Sequence, residues 1–196
     1  MFKLKIQNSN RCFFWSDAHF FHRNIIKYCN RPFVSIEDQE EQLIANHNNV
    51  VGPDDYSINL GDFSFDSVKI EESERILSKL NGKKILIEGN HDNHKLLKSK
   101  YWEGVYVRLH LVFNDLPNDY FILDHFPLET WHKKTHGSYH LHGHVHSMNS
   151  GLPFPSFVQR RIDVGVDYHN YTPQTIHQLK KKMIELETYT DNNNYR

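Results

Sequence analysis

Five short polar clusters combine residue types that bind metal ions or transfer protons. In chain order they are Asp17-Ala18-His19, Gly61-Asp62, Gly89-Asn90-His91-Asp92, Asp124-His125 and Gly143-His144-Val145-His146. Carboxylate, amide and imidazole groups together favour Mn, Fe, Zn, Ni or Co over Ca or Mg, which prefer shells of oxygen alone. The chain also has 15 histidines among 196 residues, and imidazole is a common ligand for such metals. The clusters therefore predict a transition-metal site.

Two of the clusters hold a pair of candidate ligands two residues apart, Asp17 with His19 and His144 with His146. Residues two apart in extended backbone point the same way, so each pair could aim at one centre. A carboxylate is the natural bridge between two cations, and Asp62 is the best candidate. Any one cluster alone is more often a cap or a turn. The occurrence of all five in order favours the metal site.

Each cluster follows a segment that reads as a β-strand, and these predicted strands span 11–16, 56–60, 83–88, 120–124 and 138–142. Because strand ends in a layered α/β protein meet at one rim, we expect the clusters to converge there. Helices are predicted at 35–47, where Ser35 caps and Asp38 completes a capping box, and at 68–80. A last helix is predicted after Thr172, with Pro173 at its first position.

The second half of the chain reads mainly as strands. Alternating apolar residues predict one half-buried strand over 105–113, and another strand is predicted at 161–164. The loops at 129–137 and 147–159 are long. We expect a single mixed α/β domain over 1–196, with 187–196 as a frayed tail.

Composition limits the partners of the protein. The formal charge is −1, from 23 basic and 24 acidic residues, so no global field gathers polyanions, although a local basic patch remains open. Cys12 and Cys29 have neither zinc-like spacing nor a disulfide framework. The sequence has no apolar run of signal-peptide or membrane-span length. We therefore expect a cytoplasmic protein without a membrane partner, and its oligomeric state stays open.

The ordered motifs D-x-H, G-D, G-N-H-D, H and G-H-x-H resemble the calcineurin-like metallophosphoesterase superfamily over about residues 12–180. The segments WSDAHFFHRNIIKYCNRPF and VGVDYHNYTP resemble its small, single-domain bacterial and phage-type members. This resemblance implies a four-layer α/β/β/α sandwich with two mixed sheets. It also implies three ligand groups: Asp17, His19 and His146 for one cation, Asn90, His125 and His144 for the other, and Asp62 as the bridge.

The same resemblance implies hydrolysis of phosphomono- or phosphodiesters by a hydroxide that bridges two divalent cations, with Mn expected and Fe, Zn, Ni or Co as alternatives. His91 matches the catalytic histidine of the family, which protonates the leaving oxygen, and Asp92 would orient its ring. Two departures are present. Phe63 follows Gly61-Asp62 where Ser/Thr protein phosphatases continue D-R-G, which argues against phosphoprotein substrates. The fourth motif reads Asp124-His125-Phe126-Pro127, where a small residue and a tyrosine commonly flank the histidine in the family.

The expected substrate is a small phosphorylated molecule, such as a nucleotide or a nucleic-acid end. Candidate substrate contacts are Arg23, Asn24 and Arg31, which follow the first cluster; a solvated helix start is the alternative. The long loops add basic and aromatic candidates, with solvated charges and loop-pinning aromatics as alternatives: Lys133, Lys134, Arg160, Arg161, Trp131, Phe154 and Phe157. Two other functions stay open, a binding scaffold with a degenerate site and a nuclease acting on longer nucleic acid.

Overall fold

The computed structural model describes residues 2–65, 67–146 and 160–193, with side chains of the last helix described as far as 186. The described strands form two mixed sheets of five strands each. The first sheet has the order β1 (Phe2–Ile6), β6 (Arg108–Phe113), β7 (Phe121–Asp124), β8 (Tyr139–His142), β9 (Arg161–Asp163). The second has the order β10 (Gln174–Thr175), β2 (Cys12–Trp15), β3 (Tyr56–Asn59), β4 (Lys83–Ile87), β5 (Trp102–Tyr106). The predicted α/β class with two mixed sheets is confirmed.

Parallel pairing carries the polar clusters to one rim. Strands β2, β3 and β4 are parallel neighbours, with Trp15 paired to Asn59 and Asn59 to Leu86. Strands β7, β8 and β9 are likewise parallel in the first sheet. A parallel bridge between Ser16 and Gly165 joins the two sheets at this rim. The loops that follow these strands therefore leave at the same end of the sandwich.

The main core lies between the sheets and is made of alternating apolar side chains from both. Phe14 and Ile58 of the second sheet meet Leu111, Phe121 and Leu141 of the first, and all five are fully buried. Burying such side chains contributes roughly 1.5–3 kcal/mol each. The sandwich is therefore a rigid base for the loops at its rim.

Helices cover the outer face of the second sheet. The helices α2 (Ile36–Val50) and α3 (Ile70–Leu77) place Leu43 and Ile76 against Trp15 of β2. The short α1 (Arg23–Tyr28) follows the first polar cluster. The last helix, α4 (Ile176–Asn193), adds Leu179 and Met183 to the core between the sheets. On the outer face of the first sheet, the loop at 129–137 packs Trp131 against His140.

The prediction of one strand over 105–113 is wrong, because the chain changes sheet in the middle of it. Strand β5 ends at Tyr106 in the second sheet and β6 begins at Arg108 in the first, with Val107 between them 71% exposed. Every second residue stays apolar across Val107, so the sequence pattern does not reveal the change of sheet. Strand β1 was not predicted, although Phe2, Leu4 and Ile6 alternate with lysines.

The helix predictions are right in place but differ at the ends. Ser35 caps α2 as expected, because its Oγ accepts the Asp38 N–H at 3.1 Å. Helix α3 is shorter than the predicted 68–80. Helix α4 begins at Ile176 rather than Pro173, since Gln174-Thr175 pair with β2 instead, and it extends to Asn193, into the segment 187–196 expected to fray. Among the helices described, none has the length and apolar character needed to cross a membrane.

Candidate metal centre

The polar clusters converge at the rim, and their ligand atoms form two groups. Within each group the ligand atoms lie within 4.8 Å of one another; the groups are Asp17, His19, His146 and Asp62, His125, His144. Asp62 lies between them, since its Oδ2 is 3.6 Å from His19 Nε2 and 3.5 Å from His125 Nε2. This is the position expected of a bridging carboxylate.

The seventh predicted ligand joins the second group. Asn90 Oδ1 lies 3.0 Å from His125 Nε2. The two groups are also tied together through the main chain, because the His144 N–H donates to both oxygens of Asp17 at 3.0 Å. All seven predicted metal ligands are thus brought to one place.

Five of these ligands have left-handed backbone, which the sequence did not predict. The φ angles are 58° at Asp17, 50° at His19, 55° at Asp62, 74° at His144 and 46° at His146. The two-residue spacing predicts extended backbone that aligns the two ligands of each pair. Instead, each of these five residues has a left-handed backbone conformation that is uncommon outside glycine, and such residues cluster at functional sites.

Glycines allow these turns to approach one another closely. Gly61 has φ of 100°, and a Cβ on it would lie 2.7 Å from the Cα of Gly89. A Cβ on Gly143 would overlap Ser16 Oγ and the Asp17 carboxylate. Side chains at these positions would therefore push the ligand-bearing loops apart.

Hydrogen bonds on the far side of two imidazoles fix which nitrogen faces the centre. His125 Nδ1 lies 2.8 Å from the Leu60 carbonyl, and His146 Nδ1 lies 2.7 Å from Asp167 Oδ2. Both partners only accept, so Nδ1 carries the hydrogen in each ring and Nε2 is turned towards the ligand groups. Partners of this kind commonly orient metal-binding histidines.

Burial and close partners shift the pKa values of the ligand groups. Burial raises the pKa of Asp17 to about 6. Burial alone would raise the pKa of Asp62 as well, but His125, His19 and the His91 N–H outweigh it and lower this pKa to about 2. Burial opposes the charged form of His125 and His146, yet their carboxylate partners raise the pKa values to about 9 and about 11. In the protein alone, carboxylate–imidazolium pairs hold the site together.

The donor set fits a pair of divalent transition metals. His19 Nε2 and His146 Nε2 lie only 3.3 Å apart, and His146 Nε2 is 3.6 Å from Asp17 Oδ1. Buried carboxylates and ring nitrogens gathered this closely are stable only when paired or when coordinated to a cation. Two carboxylates, one amide oxygen and four imidazoles match Mn, Fe, Zn, Ni or Co.

His91 stands beside the ligand groups rather than within them. Its main-chain N–H donates to Asp62 Oδ1 at 2.9 Å, and its ring centre is 5.2 Å from that of His19. The role predicted for Asp92 needs correction. Its buried carboxylate accepts N–H groups from Asp62, Phe63 and Gly89 at 2.9–3.0 Å, so it holds the bridging loop in place rather than the His91 ring.

The three predicted substrate contacts differ in exposure: two are exposed and one is buried. Arg23 and Asn24 are exposed on α1, where an anion could reach them. Arg31 as a substrate contact is wrong, because its side chain is fully buried and its guanidinium binds Asp167, Gln39 and main-chain carbonyls.

The loop candidates are mostly engaged in packing. Trp131 is buried and its Nε1 donates to Ser138 Oγ at 3.0 Å, so it pins the loop and is not placed to stack on a base. Arg160 and Arg161 donate to the carbonyls of Gly137 and Leu128. Lys134 donates to the Glu129 carbonyl, and Lys133 lies over the ring of Tyr120. Phe154 and Phe157 lie outside the described residues.

Sequence reasoning missed Asp167, which is buried against both His146 and Arg31. A signal for it was present, since Asp167 ends the VGVD segment that resembled small phosphoesterases. It lacked the ligand spacing that drew attention to the other clusters, so no role was assigned to it.

Comparisons with known proteins give relatives whose names carry no activity. The chain is 36% identical over 171 residues to "Uncharacterized protein MJ1445" of Methanocaldococcus jannaschii, covering 87% of this chain and 89% of that protein. It is also similar to the crystal structure of "the Protein of Unknown Function AQ665 from Aquifex aeolicus", with a TM-score of 0.68, 27% identity and coverage of 87% and 97%. No family model matches the chain. The extent and identity of the first similarity show that this chain belongs to the same family as the M. jannaschii protein MJ1445.

Proposed function

We propose that this protein is a dinuclear metal-dependent phosphoesterase that hydrolyses phosphomono- or phosphodiester bonds of a small substrate. One observation carries the proposal. Seven side chains of mixed ligand type lie at one rim in two groups, with Asp62 Oδ2 within 3.6 Å of a histidine from each. The motifs on these loops also resemble those of calcineurin-like metallophosphoesterases.

Each of the two ligand groups would bind one cation. Asp17, His19 and His146 hold one, and Asn90, His125 and His144 hold the other. Asp62 serves both. Two divalent cations, with Mn expected, supply Lewis-acid activation of water and of the phosphoryl group when bound. The protein contributes fixed ligand positions, because the left-handed turns and Asp92 hold the loops before any ligand binds.

His91 supplies the proton for the leaving oxygen. It neighbours the ligand groups, its main chain is tied to Asp62, and its ring lies beside those of His19 and Phe65. A side chain at the edge of the centre, not committed to a ligand group, suits general acid catalysis.

We propose that the substrate is small, either a nucleotide or a nucleic-acid end. We also propose that the reaction takes place in the cytoplasm. The balanced charge provides no long-range attraction for a polymer. Arg23 and Asn24 are exposed just after the first cluster, with Arg23 4.0 Å from Glu37, and we assign to them the contacts with anionic oxygens of the substrate. The basic residues of the loop at 129–137 are instead bound to the body of the protein or to its own main chain.

Metal-dependent turnover tests the proposal. Protein stripped with a chelator should bind two Mn²⁺ per chain, and only the loaded form should hydrolyse p-nitrophenyl phosphate or its bis-ester. His177→Gln is the matched control for changes at site histidines, since His177 is exposed on α4 and bonds Ser9. Two bound ions without turnover would favour a binding scaffold. Preference for long duplex DNA, with affinity falling steeply as salt rises, would favour a nuclease.

A further inference from the structure

We propose that the buried pair of Arg31 and Asp167 is the positioning device of the ion site formed by Asp17, His19 and His146. This inference rests on the proposed function, because it concerns one of the two ions. It assigns a role to two residues that contact neither the reacting atoms nor the substrate.

Asp167 fixes the orientation of the His146 ring. Its Oδ2 lies 2.7 Å from His146 Nδ1, while the Arg31 guanidinium donates to both of its oxygens at 2.8 Å. The carboxylate only accepts, so His146 keeps its hydrogen on Nδ1. The other ring nitrogen is thereby turned towards the ligand group, 3.6 Å from Asp17 Oδ1. The side chains of both Arg31 and Asp167 are 0% exposed.

Arg31 fixes the loop that carries the other two ligands. Its Nη2 donates to the Asp17 carbonyl at 2.7 Å, and its Nη1 donates to the Ala18 carbonyl at 3.0 Å. These carbonyls belong to the turn on which Asp17 and His19 have left-handed backbone. One guanidinium therefore holds this ligand loop directly and the third ligand, His146, through Asp167.

The number of hydrogen bonds made by the Arg31 guanidinium equals the number of its N–H donors. Arginine has five N–H donors in a planar fork. Arg31 makes five contacts: Nε and Nη2 to Asp167, Nη2 to Asp17, and Nη1 to Ala18 and Gln39. A lysine or an apolar residue could not reproduce this set. A plain stabilising role would not require every contact to lead to the ligand loops or their support.

The same contacts account for the two segments that resembled small phosphoesterases. Arg31 lies in the NRPF end of the first segment and Asp167 in the VGVD start of the second, 136 residues apart in sequence. Cys29 also lies near His146 and Asp167, at distances a metal could span. The guanidinium charge 2.8 Å from Asp167 opposes a cation there, so this third group belongs to the support and not to another ion site.

Metal affinity of individual sites tests the inference. In Asp167→Asn, the amide keeps the shape of the side chain but replaces one acceptor oxygen by a donor. In Arg31→Met with Asp167→Leu, the pair is removed without leaving a buried charge. Co²⁺ titration against a competing chelator measures the affinity of each ion, and thermal unfolding of the stripped protein checks the fold. The matched control is Asp119→Asn, which breaks a carboxylate–lysine pair with Lys180 away from the site.

Two ligand variants identify the ion affected, His19→Ala for one site and Asn90→Ala for the other. Both pair variants should lower the Co²⁺ affinity of one site by about 10–100-fold. The affected site should be the one that His19→Ala weakens, not the one that Asn90→Ala weakens. Asp119→Asn should bind both ions as the unmodified protein does. Normal affinity at both sites in a folded pair variant would overturn the inference, and so would equal weakening of both ions. Failure of both pair variants to fold would assign the pair to folding and likewise overturn it. If the unmodified protein binds no metal, the proposed function itself fails.

Discussion

Metal binding to this protein should release protons, and the pKa values of the site histidines give the number. In the protein alone, the carboxylates around them raise the pKa of His125 to about 9 and that of His146 to about 11, so both rings are charged at pH 7. A metal ion binds only the neutral imidazole. Burial lowers the pKa of His19 well below its usual value, so this ring is already neutral. We therefore expect the ligand side chains to lose about two protons per chain at pH 7, one at each ion site.

The metal affinity should depend on pH because these rings lose protons when a metal binds. Removing a proton from His125 at pH 7, about two pH units below its pKa of about 9, costs about 3 kcal/mol of metal-binding free energy. This cost falls as pH rises, so metal binding becomes tighter towards alkaline pH. With one proton released, affinity at each site should rise about tenfold per pH unit from pH 7 to 8. The gain at the His125 site should level off above about pH 9.

Calorimetry provides the assay. Mn²⁺ is titrated at pH 7 in buffers of different ionisation enthalpy, and the slope of the observed heat gives the number of protons released. His125→Gln should reduce that number by about one, whereas His177→Gln, on exposed α4, should leave it unchanged. Metal binding without proton release, with equal affinity at pH 6 and pH 8, would refute the reasoning.

Three further outcomes are expected. His91→Ala should keep its two metal ions but lower turnover by about 10²–10⁴, less for substrates with good leaving groups; loss of metal in elemental analysis would show that His91 is a ligand. Asp62→Asn should weaken both ions, because Asp62 Oδ2 faces both groups; an effect on one ion alone would exclude a bridge. Trp131→Ala should lower the free energy of unfolding in urea by about 3–5 kcal/mol without changing metal content, since Trp131 is buried against Ser138 and His140.

The strands that carry the site could be predicted because each is a short apolar run that stops at a polar cluster. The parallel pairing that brings those ends together follows from the alternation of strands and helices in the first half. The crossing at Val107 could not be predicted in the same way. Val105 packs in the cluster under the helices and Leu109 packs in the core between the sheets, so alternate residues are apolar on both sides of the crossing although they face different clusters.

The convergence of the candidate ligands could be predicted from residue type, order and position at strand ends, but the residues that support them could not. Arg31 lies close after the first cluster, where an exposed arginine that meets substrate and a buried one look alike in sequence. Its burial depends on Asp167, far along the chain, which supplies the opposite charge. The interpretation of Asp92 failed for a similar reason, because the N–H groups that donate to its carboxylate belong partly to the loop of Asp62.

The backbone at the ligands favours a working metal site over a degenerate scaffold. Five ligands have left-handed φ angles, and although Asp and His tolerate this conformation better than most residues, each costs about 1 kcal/mol or more. The total, roughly 5 kcal/mol, is comparable with the net stability of many domains. Such strain persists only where surrounding contacts enforce it, and here Asp92, Arg31 and close-packed glycines do so. A surface that only binds a partner would not require these turns, whereas ligands that must meet two ions at fixed positions do.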